Sequence, residues 1–379
     1  MKIKSLYIHI PFCLGKCNYC DFNSQALNTF NGRLSDYLDC LKKELDLIGN
    51  QFFLKDVITV YLGGGTPTIL SVVQLQNLME HVYKRISFGK LEEITIEANP
   101  RTLTNNKLLA LKEIGFNRLS LGAQSFNNEL LKDMGRLYDV NDIEQAFIMA
   151  REARIENINL DLIYGLPNQT LNIWKTTLKK ALQLRPEHIA VYGLTLEETT
   201  PWGKRFLQGE LLLPDEEQVF EMYKYNQNKL QAAGFIHYEI SNFCLKGKES
   251  KHNCTYWENE YYLGIGLGAG SYFYGNRYYN LTNIMEYMNT VKRGVRPLME
   301  TLILSQKEEM SETVFMGLRL RRGVSVAEFI RRFAVSPFCV YSEQIDKLVT
   351  LGLLQADKTS LRLTPKGLPI ANVVFQEFI

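Results

Sequence analysis

The chain has no apolar run of the ~20 residues that a membrane-spanning helix needs. It lacks an excess of charge: 43 Lys and Arg stand against 41 Asp and Glu, leaving +2. A balance so near zero argues against a general nucleic-acid binder. It also lacks an even, spread-out set of cysteines. Seven are present, and Cys13, Cys17 and Cys20 crowd together. That pattern excludes a disulfide scaffold and points to a metal in a reducing compartment. Two lysines open the N-terminus. His9 and Pro11 break the apolar stretch behind them and no small-residue cleavage site follows, so a cytoplasmic location is expected. Disorder and fibre formation do not fit 46% hydrophobic and 22% charged residues. At ~150 residues per domain, 379 residues predict two domains, with an appended lobe.

What is present is an alternation. Apolar, β-rich runs recur at Leu6–Ile10, Val57–Leu62, Ile94–Glu97, Leu119–Leu121, Ile158–Ile163 and Ile189–Leu194. Helical stripes lie between them, such as Leu38, Leu41, Leu45 and Ile48, or Leu75, Leu78, Met79 and Val82. Strand–helix repetition predicts an α/β fold with a parallel sheet of six units, as a partial barrel or an open sheet. After about residue 205 the pattern changes. A helix is expected from Asp215 through Leu230, then a strand over Tyr238–Phe243 and a basic loop. From about residue 301 helices and a terminal hairpin outline a winged-helix-like module. The expected organisation is 1–205, a connecting segment over 206–300, and 301–379.

Chemically suggestive residues gather where these strands end. Cys13-x3-Cys17-x2-Cys20 follows the first, Gly63-Gly64-Gly65-Thr66-Pro67 the second, Glu97 the third, Gln124 the fourth; Asp161 lies within the fifth. In parallel α/β folds that edge is where sites are built. Three cysteines admit a zinc site, but structural zinc takes four closed ligands and no second knuckle is present. A cubane iron–sulfur cluster with one open iron suits three thiolates better.

Cys-x3-Cys-x2-Cys after a first strand resembles the radical S-adenosylmethionine (SAM) superfamily. Tyr7-Ile8-His9-Ile10-Pro11-Phe12-Cys13, Gly63–Thr68, Leu121–Phe126 and Asp161–Pro167 are similar to the oxygen-independent coproporphyrinogen III oxidase family over essentially the whole chain. The resemblance implies a partial (β/α)6 radical SAM barrel carrying a [4Fe–4S] cluster on Cys13, Cys17 and Cys20. The open iron would chelate SAM, and a reductant would supply an electron for its cleavage to a 5′-deoxyadenosyl radical. Tyr7 and Tyr19 would pack near the cluster and cofactor. Gly64, Gly65 and Thr66 would meet the methionyl amino end, the glycines by letting backbone approach a ligand. Glu97 or Asp161 would hold ribose hydroxyls or the amino group, and Gln124 and Arg136 would reach the ribose and the carboxylate.

Two features depart from the oxidase pattern. Oxidases carry a fourth cysteine two positions past the third, where Phe22 stands here, and a longer N-terminal segment; only six residues precede Tyr7. Both match the HemW branch of that family, regarded as heme-binding chaperones. That branch also has His-Asn-x-x-Tyr-Trp, present as His252–Trp257. It implies His252 as a heme ligand, with Cys254 a second conceivable one, Tyr256 and Trp257 beside the macrocycle, and Lys246, Lys248 and Lys251 near the propionates. The expected function is a chaperone passing heme to an acceptor protein. A SAM-dependent porphyrinogen oxidase is the alternative, and a closed structural metal site a third reading. Gly264–Gly270 satisfies G-x-G-x-x-G, but no helix is expected after it, so a compact glycine loop is read. Arg319, Arg321, Arg322, Arg331 and Arg332 read as a solvated face.

Overall fold

A computed structural model of the chain describes residues 2–30 and 33–379. All six expected strands form: β1 Ser5–Ile10, β2 Thr59–Gly64, β3 Glu93–Ala98, β4 Arg118–Gln124, β5 Ile158–Tyr164 and β6 His188–Gly193. They lie side by side in sequence order and all run parallel. The stretch after residue 205 does not leave this sheet. It adds β7 Ile236–Glu239, β8 Asn242–Cys244, β9 Tyr262–Ile265, β10 Gly270–Phe273, β11 Asn276–Asn280 and β12 Leu298–Ile303. The order across the twelve strands is β12-β11-β10-β9-β1-β2-β3-β4-β5-β6-β8-β7. β9 is parallel to β1, and the strands beyond it and beyond β6 are antiparallel. The barrel is therefore partial, ending in β12 and β7.

Helices cover the outer face: α1 Leu34–Gly49, α2 Val72–Arg85, α3 Asn105–Ile114, α4 Asn128–Asp133, α5 Val140–Glu152, α6 Leu171–Gln183, α7 Pro201–Leu207 and α8 Glu216–Ala232. Their boundaries are chemical. Ser71 and Gln74 form a capping box that starts α2, and Gly115, at φ 112°, ends α3 in a left-handed turn. The stripes read from the sequence are the buried faces: Leu38, Leu41, Leu45 and Ile48 on α1, with Cys40 beside them. Cys40 faces the carbonyl of Met288, 3.8 Å away, on α10 Ile284–Lys292, a packing role remote from the cysteine trio.

Strict alternation along the strands divides the two faces. Leu6, Ile8 and Ile10, Val60 and Leu62, and Ile94 and Ile96 belong to the apolar core, whereas Thr59 and Ser5, Tyr61 and Glu97, and Ser120 and Asp161 pair across the polar face. A parallel sheet buried on both faces normally shows continuous apolar runs. Here the inward face is polar, so the barrel encloses hydrogen-bonding groups instead of a packed apolar interior.

One segment differs from the sequence reading and another agrees with it. Tyr238–Phe243 is not one strand. Glu239 accepts the N–H of Ser241 at 2.8 Å, which turns the chain between β7 and β8. The glycine loop joins β9 to β10 with no helix after it; Gly266, at φ 101°, leaves no room for a Cβ beside the His9 carbonyl and Tyr37 hydroxyl. Short α9, Lys251–Trp257, lies at the start of the strands.

The terminal module has its own core around Phe329, Leu348, Leu361 and Val374. It comprises α11 Gln306–Gly317, α12 Val326–Phe333, α13 Pro337–Val340, α14 Ser342–Thr350 and α15 Ala371–Gln376. A three-stranded sheet completes it: β13 Val324–Ser325, β14 Leu354–Ala356 and β15 Ser360–Leu363. Bridge pairing of Glu239 with Leu320 joins the module to β7. Among the described residues no helix is long and apolar enough to cross a membrane.

Candidate functional site

The loop after β1 carries Cys13, Cys17 and Cys20 over the C-terminal mouth of the barrel, all as free thiols. Neighbouring elements hold it. Asn18 N–H bonds to the Met134 carbonyl at 3.0 Å and its side chain to the Asp133 carbonyl at 2.7 Å, while Trp202 N–H bonds to the Asn18 carbonyl at 2.9 Å. At its other end, His9 Nε2 lies 2.9 Å from the Asn23 carbonyl and Nδ1 lies 3.0 Å from the Tyr7 hydroxyl. Burial lowers the His9 pKa, so the ring is neutral and donates through Nε2 while Nδ1 accepts from Tyr7.

Among the described residues no three His, Cys, Asp or Glu side chains close around a single ion. The three thiols instead border one cleft of about 320 Å³, within electrostatic range of one another. That arrangement does not suit a closed zinc site and does suit a polynuclear cluster. Burial raises the Cys17 and Cys20 thiols, a cost that iron ligation would reverse.

The SAM candidates surround the same cleft, with one exception. Thr66 Oγ1 lies 3.6 Å from Cys13 Sγ. Arg136 donates to the Tyr19 hydroxyl and lies over the Tyr19 and Tyr138 rings, while its Nε is buried with no acceptor. An orphaned buried donor costs about 1–3 kcal/mol, so this guanidinium is ready for a carboxylate. Gln124 ends β4 at φ 63°, an unfavourable conformation for a residue with a side chain, at a register break between β4 and β5. Glu97 accepts from the Tyr61 hydroxyl at 2.8 Å and from Gly64 N–H at 3.1 Å. Asp161 accepts from Ser120 at 3.0 Å and Asn159 at 2.9 Å. Burial first, then the Asp161 charge, raises Glu97 to about 7; burial also raises Asp161. Two carboxyls held in a buried cleft favour a cationic group, and a sulfonium with its amino group is one.

Tyr7 is the exception. It does not border the cleft; its ring lies one layer deeper, 6.2 Å from Tyr61 and 6.5 Å from His252, and it reaches the cysteine loop only through His9. The reason for the glycines also differs. A Cβ on Gly64, at φ 109°, would stand 2.4 Å from the His9 ring, and one on Gly65 2.6 Å from the Phe12 carbonyl. Both positions border the cleft, but close approach of protein to protein, not to ligand, requires glycine there.

His252 is not at this site. It lies on the barrel floor, 1% exposed. Nδ1 is 2.8 Å from Thr59 Oγ1 and Nε2 is 2.8 Å from the Tyr256 hydroxyl. Thr59 gives its own proton to Ser5, so Nδ1 donates and the Nε2 lone pair accepts from Tyr256. Burial pushes the ring down to about 3. With both nitrogens engaged, the expectation of His252 as an iron ligand does not fit this geometry. The motif instead fastens α9 to the floor, where Glu93 accepts the Lys251 and His252 N–H groups at 2.9 and 3.1 Å. Lys251 pairs with Glu92.

Tyr61, Ser120 and Tyr192, which also border the cleft, went unremarked in the sequence. The signal was the alternation itself: Thr59-Val60-Tyr61-Leu62 and Arg118-Leu119-Ser120-Leu121 mark polar inward positions.

Comparison with known proteins is consistent along the chain. The radical SAM superfamily matches residues 7–181 and the HemN C-terminal domain residues 304–370. Heme chaperone HemW of Lactococcus lactis is 40% identical, covering 100% of this chain and 98% of its own. Heme chaperone HemW of Escherichia coli is 33% identical over 99% and 98%. Coproporphyrinogen III oxidase (HemN) from Escherichia coli, described as a radical SAM enzyme, superposes with a TM-score of 0.86 at 25% identity, over 100% of this chain and 90% of that one.

Proposed function

Because the chain belongs to the HemW family of heme chaperones in the radical SAM superfamily, we propose that it binds heme as cargo and hands it to an acceptor protein. In this reading the barrel mouth carries a [4Fe–4S] cluster with exchangeable SAM, served by an external reductant. A cytoplasmic location belongs to the proposal and agrees with seven free thiols.

Phe22 carries the choice of chaperone over oxidase. The fold is shared with an oxidase and does not discriminate. Phe22 stands where the resemblance places the oxidases' fourth thiol, borders the cleft and is 62% exposed. A phenyl ring offers neither a proton nor a redox-active sulfur.

Cys13, Cys17 and Cys20 would ligate the cluster. When bound, cluster and SAM supply reductive cleavage of a sulfonium carbon–sulfur bond. Arg136 would hold the methionyl carboxylate through its guanidinium fork, backed by the Tyr19 ring. Thr66, Glu97 and Asp161 would take the amino and ribose groups, and Gln124 would fix the ribose from its constrained backbone. Tyr7 and His9 act behind them, fixing the loop through Asn23.

The test is anaerobic reconstitution followed by three measurements on one sample: hemin binding, hemin transfer to an apo-globin, and conversion of coproporphyrinogen III with SAM and reductant. Binding and transfer without decarboxylated product support the proposal. Accumulation of protoporphyrinogen IX would make the chain an oxidase.

A further inference from the structure

Asp161 borders the cleft from β5, yet its own row of the sheet gives it no support. In register it stands between Gly122 of β4 and Ala190 of β6, and neither brings a polar side chain. Its partners come from the next row toward the barrel floor. There Ser120, Asn159 and His188 are register neighbours on β4, β5 and β6, and all three are buried.

The hydrogen bonds of that row run one way. Asp161 accepts from Asn159 Nδ2 on one oxygen at 2.9 Å and from the Ser120 hydroxyl on the other at 3.0 Å. Asn159 Nδ2 also donates to Ser120 Oγ at 2.7 Å, so both N–H bonds of that amide are used and its Oδ1 is left to accept. His188 Nδ1 faces Oδ1 at 2.6 Å and therefore carries the proton. Nε2 is then a bare lone pair, and it accepts from the Tyr238 hydroxyl of β7 at 2.9 Å. The Tyr238 oxygen in turn accepts the N–H of Ser250 at 3.3 Å, and Ser250 caps α9 on the floor. Burial, with the Arg118 guanidinium nearby, holds the His188 pKa well below its ordinary value, so no second proton reverses this direction.

Satisfying buried polar groups takes a partner for each, not a common direction. Here every donor points from the floor toward the mouth, each proton fixes the next acceptor, and the chain ends on a carboxylate that faces the cleft. Asn159, His188 and Tyr238 do not border the cleft themselves. We infer that His188 is a positioning residue for Asp161, acting through Asn159 with its tautomer locked by Tyr238, so that Asp161 turns its remaining lone pairs to the cofactor. This rests on the SAM reading above.

Calorimetry of SAM with the full-length, cluster-loaded protein tests the relay, without reductant so that SAM stays whole. His188→Leu fills the space but gives Asn159 no donor, and binding should weaken about 10–100-fold, as expected when a carboxylate loses an aligned donor. His188→Asn sets an amide N–H near the place of Nδ1 and should recover most of that affinity. A ring that merely fills space predicts the opposite order, because asparagine leaves a cavity where leucine does not. Tyr238→Phe deletes a single oxygen. It should bind SAM about 3–10-fold more weakly, the share of one neutral hydrogen bond. Nitrogen NMR of histidine-labelled protein should show both His188 tautomers in that variant, and only Nδ1–H in the wild type. SAM affinity in His188→Leu equal to or above that in His188→Asn would overturn the relay and leave the SAM reading intact. If the leucine variant does not fold, unchanged SAM affinity in Tyr238→Phe would overturn it equally. No SAM binding by the cluster-loaded wild type would overturn the SAM reading itself, and the relay with it.

Discussion

Replacing Gly64 by alanine tests how the mouth is held. The added Cβ would stand 2.4 Å from His9 Cε1 and 2.5 Å from Nδ1, on a backbone at φ 109°. A side chain in the left-handed region costs about 1–2 kcal/mol, and volume forced into a packed site typically about 1–3 kcal/mol more. His9 cannot swing aside without giving up its bonds to Tyr7 and Asn23, worth about 1 kcal/mol each. The expected loss is about 2–5 kcal/mol, a large share of the roughly 5–15 kcal/mol of a typical domain. Gly209→Ala is the control. It has φ 72° and nothing within 4 Å of the new Cβ, so only the backbone cost applies. Anaerobic urea unfolding compares the two at constant m-value. His9→Ala in the Gly64→Ala background should recover about 1–3 kcal/mol relative to additivity. Iron per chain should fall in Gly64→Ala, because Asn23 lies just beyond Cys20. Equal destabilisation of Gly64→Ala and Gly209→Ala, with no coupling to His9, would refute the argument.

Alanine at Cys13, Cys17 or Cys20 should abolish the iron–sulfur absorption, whereas Cys40→Ala should keep it and lose about 1–2 kcal/mol of packing stability in urea unfolding. Arg136→Gln should weaken SAM binding about 10–100-fold by calorimetry with the cluster spectrum unchanged, since a charged hydrogen-bond donor is lost. SAM affinity should rise with pH through about 7 and level above it. Glu97, raised to about 7, is partly protonated below that point, and a cationic ligand favours its carboxylate; Glu97→Gln should flatten calorimetric profiles taken between pH 6 and 8. His252→Ala should destabilise the chain by about 2–4 kcal/mol, leaving Thr59 and Tyr256 without their partner, while folded protein still binds hemin.

The strands and the cysteine loop were legible because their signals are local. β1 to β6 appear as short β-rich runs, and three thiols within one loop need no tertiary knowledge. The glycines were located but misexplained, since the ring that excludes a Cβ at Gly64 comes from another strand. His252 misled for the same reason. A histidine among aromatics looks like a ligand until Thr59, nearly two hundred residues earlier, is seen to accept a hydrogen bond from its Nδ1. Of the motifs, only the inward polar alternation was fully written in the sequence and left unread.

The position of β1 bears on how the protein is made. β1 lies between β2 and β9, and Ser5 pairs in register with both Thr59 and Tyr262. The cysteine loop leaves the ribosome early, yet one of its braces arrives late: Asn23, just beyond Cys20, donates to the Thr282 carbonyl. At roughly 5–20 residues per second, about 13 to 54 s separate the first cysteine from the Thr282 segment that braces it. The contacts of Asn18 with Asp133, Met134 and Trp202 can form earlier, so through that interval the nascent loop is braced on one side only. The fully braced loop therefore exists only after β9, β10 and β11 have been made, long after the three thiols themselves.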